Sequence, residues 1–239
     1  MPQTLTLNDQ NRELPLALFT ASAGLISALI TICLNYPIRY FAALLNSRWG
    51  LGSIVLPGAM FGLVFSGCLA FRGYLRNPWK SIVIGAAFGL SYYLSMWIAI
   101  NVELYSPFGR PGNEVGLVSN SAMFAGGLVG AFLVVGAVSV LNSRIAWERR
   151  VLKGIYWSPV GGILGVIGWT LGPYLGMVIW SVVHALGLTA PTETFQNARG
   201  ETSHMYSLWI VWQTGIGLVL GLVLRDNPAN EAPKAFDVR

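Results

Sequence analysis

The sequence predicts an all-α, polytopic membrane protein with six transmembrane helices. Of its 239 residues, 54% are hydrophobic and only 10% are charged, whereas roughly 25% are charged in an ordinary soluble domain. Six apolar stretches are long enough to cross a bilayer, and a helix satisfies its own backbone hydrogen bonds there. So little chain remains between these stretches that we expect no soluble catalytic domain.

The predicted transmembrane domain covers residues 14–224 and is flanked by two polar segments. Residues 1–13 form the N-terminal segment, which leads into a full-length span without an obvious cleavage site and is therefore typical of an uncleaved anchor. Residues 225–239 form a tail that we expect to be disordered because it is polar and rich in charge.

The first four spans are bounded by proline, glycine and basic residues. Span one is predicted over residues 14–34 and ends at Pro37, because proline cannot continue the hydrogen-bond ladder of a helix. Residues 38–49 then form either a short helix in the membrane interface or a packed loop. Spans two, three and four are predicted over residues 51–71, 81–102 and 117–141.

Span five, residues 157–188, contains no charged residue but two prolines and seven glycines. Pro173 interrupts it, so we expect either a long, tilted helix or a broken one. The basic segment before it, residues 142–154, is predicted to be a helical connection on the membrane surface. Span six is predicted over residues 206–224, after a polar loop.

The positive-inside rule orients these six spans. Eleven of the fifteen lysine and arginine residues fall on the side that holds both termini, and four fall on the other side. We therefore expect a multi-pass protein of the inner, cytoplasmic membrane with both termini in the cytoplasm. The net charge of +5 is explained by this asymmetry and indicates no nucleic acid partner.

Similar patterns of proline and glycine recur at an offset of 102 or 103 residues and suggest an internal repeat. Two halves of three spans each would have opposite orientations, as in the inverted repeats of many transporters. The alternative is chance, because glycine is common here. The residues that the repeat places on a substrate path, or at helix contacts, are Pro57, Gly58, Gly62, Pro159, Gly161 and Gly165.

Polar residues within the spans are uncharged. Thr170 and Gln213 are examples, whereas Lys80 and Glu103 sit at span ends. The absence of acids and bases near span centres argues against a proton-coupled or cation-coupled pump. The polar residues either line a path for a neutral solute or hold neighbouring helices together, and the second role is the more common one.

The two histidines are weak candidates for a metal or haem site. His184 and His204 lie near the same predicted membrane face, but no further cluster of ligands accompanies them. We therefore predict no metal site and no catalytic residue, and the sequence names no cofactor.

These observations favour a non-enzymatic protein that resembles a channel or transporter for a small neutral solute. One alternative is a structural or accessory subunit of a larger membrane complex, with contacts to partner helices, lipids or pigments. Another is a membrane enzyme acting on lipid. The expected partners are membrane lipids and either further copies of the chain or other membrane subunits.

Overall fold

The computed structural model describes residues 7–44, 51–72, 75, 78–105, 119–140, 147–189 and 201–225. These residues form helices and short turns, with no strand among them. The helices are α1 Leu7–Leu44, α2 Leu51–Phe71, α3 Pro78–Tyr105, α4 Asn120–Val140, α5 Trp147–Thr170, a π-helical turn Gly172–Gly176, α6 Met177–Ala185 and α7 Glu201–Arg225. Residues 1–6, 45–50, 73–74, 76–77, 106–118, 141–146, 190–200 and 226–239 lie outside the described part, and so do the predictions made for them.

The predicted polytopic, all-helical membrane fold is confirmed. Five segments are long and apolar enough to cross a bilayer: Leu16–Leu34, Trp79–Tyr105, Asn120–Ser139, Val151–Thr170 and Thr202–Leu224. The sixth predicted span corresponds to α2, a helix of 21 residues with the predicted bounds. Its apolar part Val55–Phe71 is shorter than the other five.

The predicted bounds of span one agree with the candidate membrane span Leu16–Leu34, but the prediction that the helix itself ends at Pro37 is wrong. α1 runs through this proline as one helix of 38 residues, from Leu7 to Leu44. A proline inside a helix removes one hydrogen bond and bends the axis, but the turns on either side can continue. Residues 38–44 therefore belong to α1 and form no separate interfacial helix. The polar N-terminal segment also becomes helical from Leu7 onwards.

The basic segment before span five is part of the span's own helix. α5 begins at Trp147 and continues to Thr170, so the predicted helix is confirmed from Trp147 onwards, but it runs directly into the span instead of forming a separate connection. Residues 142–146 lie outside the described part. Glu148 in the first turn of α5 faces the positive end of the helix dipole. This charge is one physical reason why the helix begins before the apolar residues do.

Span five is interrupted as predicted. The α-helical pattern stops after Thr170, a π-helical turn covers Gly172–Gly176, and α6 continues to Ala185. α6 ends in a Schellman motif, in which Gly187 and Leu188 donate to the carbonyls of His184 and Val183. Gly187 has a φ of 70°, which glycine adopts without strain.

The helices form a closed ring in the order α1, α2, α3, α4, α5, α7, with α7 packed against α1. Glycines let neighbouring helices approach closely. Gly62 meets Gly85 between α2 and α3, and Gly127 meets Gly161 between α4 and α5. Aromatic rings fill the interior on the α2 and α3 side, where Phe61 lies 5.3 Å from Phe88 between ring centroids.

The internal repeat remains a hypothesis. The ring contains the pairings that an inverted repeat requires, α3 with α4 and α7 with α1. However, Gly62 contacts α3, whereas its match Gly165 contacts Met123 on α4, and an inverted repeat would place that contact on α7. Pro57 is buried and its match Pro159 is exposed. The two glycine matches share one offset of 103 residues, but Gly58 and Gly62 pack on α3 whereas Gly161 and Gly165 pack on α4.

Candidate functional site

The centre of the bundle is built around α7. In its span Thr202–Leu224, 67% of the residues are buried, more than in the other four candidate spans. The helix presents Trp209, Trp212 and Gln213 to its neighbours, and all three side chains are buried. Gln213 makes a polar contact on the side of α7 that faces α1 and α2. Trp212 lines a cavity beside α3, α4 and α5.

Gln213 and Pro57, both predicted path residues, meet in this centre. The side chain of Gln213 is fully buried, and its Nε2 donates a hydrogen bond of 3.3 Å to the carbonyl of Pro57. Among the described residues, its Oε1 has no hydrogen-bond partner. A buried amide oxygen that lacks a donor is uncommon, and in a bilayer no lipid tail can supply one.

Three hydroxyl groups on α1 and α7 are also buried without a hydrogen-bond partner among the described residues. The Oγ atoms of Ser27 and Ser207 and the Oγ1 of Thr214 are enclosed and have no hydrogen-bond partner in the described parts of the chain. Gly24 of α1 packs directly on the backbone of Gln213 and Thr214. We call this set the polar seam; its members are Ser27, Ser207, Gln213 and Thr214. Its four buried, uncharged polar atoms belong to α1 and α7, two helices that pack closely on each other.

A cavity lies on the other side of α7. It admits water-sized molecules over about 30 Å³, and a single water needs roughly 10–15 Å³ by this measure. Of the predicted path residues, Gly165 is the one that lines it. The lining residues are Tyr92, Ser95, Met96, Ala99, Met123, Gly126, Gly127, Gly165, Leu208 and Trp212.

Three polar groups belong to this lining. The hydroxyl oxygen of Tyr92 accepts a hydrogen bond of 2.5 Å from Nε1 of Trp209. The hydroxyl of Ser95 donates to the carbonyl of Ser91 at 2.8 Å. Nε1 of Trp212 is enclosed and has no partner. The wall is otherwise apolar and contains no charged residue.

Most of the other predicted path residues serve helix contacts or face outwards. A Cβ at Gly58, Gly62 or Gly161 would meet backbone or Cβ atoms of a neighbouring helix within 2.8 Å, so these glycines allow close packing. Pro159 and Thr170 are exposed. The hydroxyl of Thr170 donates to the carbonyl of Val166 on its own helix.

His204 supplies a hydrogen-bond donor in place of the backbone N–H that Pro173 lacks. Proline has no N–H, so the carbonyl of Trp169, four residues earlier, lacks its α-helical donor. Nδ1 of His204 lies 2.7 Å from this carbonyl oxygen, which can only accept, so Nδ1 carries the proton. The His204 ring also packs on Trp169, with centroids 4.7 Å apart, and against Gly172.

The two histidines have separate environments. Nδ1 of His184 lies 2.6 Å from the hydroxyl of Thr189, and its ring stacks on Trp180. No group of three or more histidine, cysteine, aspartate or glutamate residues that could hold a metal ion occurs in the described parts of the chain. His184 and His204 therefore have local structural partners, and neither belongs to the central site.

No protein family model, no curated protein and no solved structure matches this chain. Its chemistry must therefore be inferred from the central site, which combines the polar seam with the cavity beside Tyr92 and Trp212.

Proposed function

We propose that the protein is a non-enzymatic, channel-like or transporter-like protein of the inner membrane that passes a small neutral solute. The observation that carries the proposal is the set of unpaired polar atoms of the polar seam, enclosed at the centre of a helical membrane bundle. Buried polar groups without partners are uncommon in folded proteins, and a bound solute or water is one common explanation for them.

The chemistry of the centre favours an uncharged solute. Amide and hydroxyl groups can exchange hydrogen bonds with a neutral molecule, but they cannot balance an ion that has lost its water. The charged residues of the described helices lie towards their ends, as at Lys80, Glu103 and Lys153. An ion entering this interior would therefore meet a high desolvation barrier.

The seam is closed in this structure. Gly24 packs on the carbonyl of Gln213, and Gly217 packs on the carbonyl of Thr20. Passage of a solute therefore requires α1 and α7 to separate or rotate. None of the side-chain hydrogen bonds of the seam joins α1 to α7 in the described residues, so this movement breaks packing contacts and few polar ones.

The test is solute entry into vesicles that contain the purified chain. Urea is a suitable neutral probe, and light scattering follows the swelling of the vesicles after mixing. We expect urea to enter these vesicles faster than protein-free vesicles of the same lipid. Equal rates, with the protein shown to be folded and inserted, would overturn the proposal.

A structural role in a larger complex is the second candidate. Gly67 lies on the exposed face of α2, and a Cβ placed there would meet no atom within 4 Å. Such an open, small position allows the backbone of another helix to approach. Under this alternative the chain contacts other membrane subunits or a second copy of itself, and lipids cover the remaining surface. The third hypothesis, a membrane enzyme acting on lipid, rests on His184, His204 or Glu201.

A further inference from the structure

We infer that the cavity between α3, α4, α5 and α7 is the binding subsite for the transported solute. The inference rests on the proposed function and deepens it by naming the class of solute. This class is a neutral molecule about the size of urea that carries both an acceptor oxygen and an N–H or O–H donor. Three features of the cavity indicate this class of solute: the hydrogen-bonding capacity that remains on its wall, its volume and its lack of charge.

Tyr92 supplies a donor to the cavity. Its hydroxyl oxygen already accepts from Nε1 of Trp209 at 2.5 Å, so the hydroxyl hydrogen is left for another acceptor. Among the described residues, no protein acceptor takes this hydrogen. An oxygen atom of a bound molecule can do so, because Tyr92 forms part of the cavity wall.

Ser95 supplies an acceptor from the same helix. Its hydroxyl hydrogen goes to the carbonyl of Ser91 at 2.8 Å, so the lone pairs of its oxygen remain available to a donor. Ser95 lies three residues after Tyr92, and residues three apart share one face of a helix. A molecule with an acceptor oxygen and a nearby N–H or O–H group would therefore satisfy both residues at once.

The volume and charge of the cavity limit what can bind. About 30 Å³ of space for water-sized molecules accommodates roughly two waters. The lining contains no acid and no base, which excludes a charged ligand on desolvation grounds. Urea has a carbonyl oxygen and amide donors within this size range, whereas glycerol, with its three hydroxyl groups on three carbons, is larger.

The experiment compares urea and glycerol entry into vesicles containing the full chain, either unchanged or carrying one substitution. We expect the unchanged protein to pass urea and to exclude glycerol. Ser95→Ala removes the acceptor and leaves no protein group unpaired, so urea entry should fall about fivefold, the loss expected for one hydrogen bond. Tyr92→Phe should produce a similar or larger fall.

Ser91→Ala is the matched control. Ser91 lies one turn earlier on α3, and its hydroxyl donates to the carbonyl of Ala87 at 2.7 Å. The substitution at Ser91 removes the same kind of hydrogen bond as the substitution at Ser95. Because Ser91 does not line the cavity, urea entry should be unchanged. Equal rates for Ser95→Ala and Ser91→Ala would overturn the subsite. If glycerol enters as fast as urea, the inferred size limit of the solute is wrong, but the proposal of transport still stands. A protein that passes neither solute contradicts both proposals.

Discussion

At the residue scale, the carbonyl of Trp169 explains why a histidine is buried within a transmembrane helix. Pro173 removes the donor that this carbonyl would have in a regular helix, and His204 replaces it from α7 at 2.7 Å. The proline and the histidine therefore form one unit, in which the second residue compensates for the first. This pairing ties the π-helical turn to α7.

The pairing predicts a specific dependence between the two positions. His204→Ala should lower the stability of the protein by about 1–2 kcal/mol, because the Trp169 carbonyl loses its donor. His204→Asn places an amide donor near the position of Nδ1 and should restore most of this loss. Thermal denaturation in detergent, followed by tryptophan fluorescence, measures both changes.

Pro173→Ala provides the control for this prediction. It returns an N–H group to the chain four residues after Trp169, so His204→Ala should cost less stability in that background than in the unchanged protein. If the two substitutions are simply additive, the hydrogen bond is not the reason for burying His204.

Substitution of Gln213 can distinguish a structural role of this residue from a functional one. Its Oε1 has no partner, and its Nε2 makes one hydrogen bond of 3.3 Å. Gln213→Leu removes both polar groups at similar volume, so we expect stability to be unchanged or slightly raised. We expect urea entry to fall at least fivefold, because the polar seam loses its amide. Thermal denaturation and vesicle swelling measure the two effects.

Thr170→Val is a suitable comparison for Gln213→Leu. Thr170 is exposed and bonds to its own helix, so neither measurement should change. A large loss of stability in Gln213→Leu, with urea entry retained, would identify Gln213 as a packing residue.

The sequence predicts part of this site. Gln213, Pro57 and Gly165 are identified as candidates because they are polar or irregular residues within apolar spans, and the structure places them at the centre. Trp209 shows why the rest is missed. Span six is predicted to begin at residue 206, which places Trp209 at the interface, but α7 begins at Glu201 and the side chain is 1% exposed. Which face of a helix points inwards depends on its neighbours.

At the element scale, close contact between α1 and α7 depends on glycine. A Cβ added at Gly24 would lie 2.1 Å from the carbonyl oxygen of Gln213, and one at Gly217 would lie 2.4 Å from that of Thr20. These partners are backbone atoms, so they cannot move aside as a side chain can. The distance between the two helices is therefore set by the absence of side chains at these positions.

Gly24→Ala should consequently separate α1 from α7. We expect a loss of about 1–3 kcal/mol of stability, the usual range for overpacking a well-packed interior. Thermal denaturation measures the loss. Gly67→Ala on α2 is the matched control, since a Cβ there meets nothing within 4 Å and alanine is the better helix former. Equal destabilisation by both substitutions would contradict the packing of α1 on α7.

The bounds of the helices are predictable where apolar residues give way to turns, as at both ends of α2. They are not predictable where polar residues extend a helix beyond the membrane, as at Leu7 of α1 and Trp147 of α5. Pro37 is misread because a proline can bend a long helix without ending it. Local sequence does not reveal whether the turns on either side continue.

At the scale of the whole molecule, basic residues gather at one end of the ring. The guanidinium group of Arg72 lies 4.4 Å from the ring centroid of Phe19, in the first turn of the candidate membrane span Leu16–Leu34 of α1. Nζ of Lys153 lies 3.5 Å from the carbonyl oxygen of Val223, near the end of α7. The starts of α1 and α5 and the ends of α2 and α7 therefore share this end.

The positive-inside rule predicts that this end faces the cytoplasm. A reporter that is active only in the cytoplasm, fused after Arg239, should be active, and a reporter that requires export should be inactive at the same position. The opposite pattern would invert the bundle and would place the cavity in the half nearer the cytoplasm.

We propose that this one chain closes the ring of its described helices by itself and works without other subunits. The contact between α7 and α1 closes the ring, and residues of α3, α4, α5 and α7 line the cavity. The most direct test is the native mass of the protein after gentle extraction from its own membrane, with identification of everything that travels with it. We predict the 25.9 kDa chain alone or as a small homo-oligomer with lipid. Stoichiometric co-purification with other polypeptides or pigments would contradict the claim and favour the role of a structural subunit.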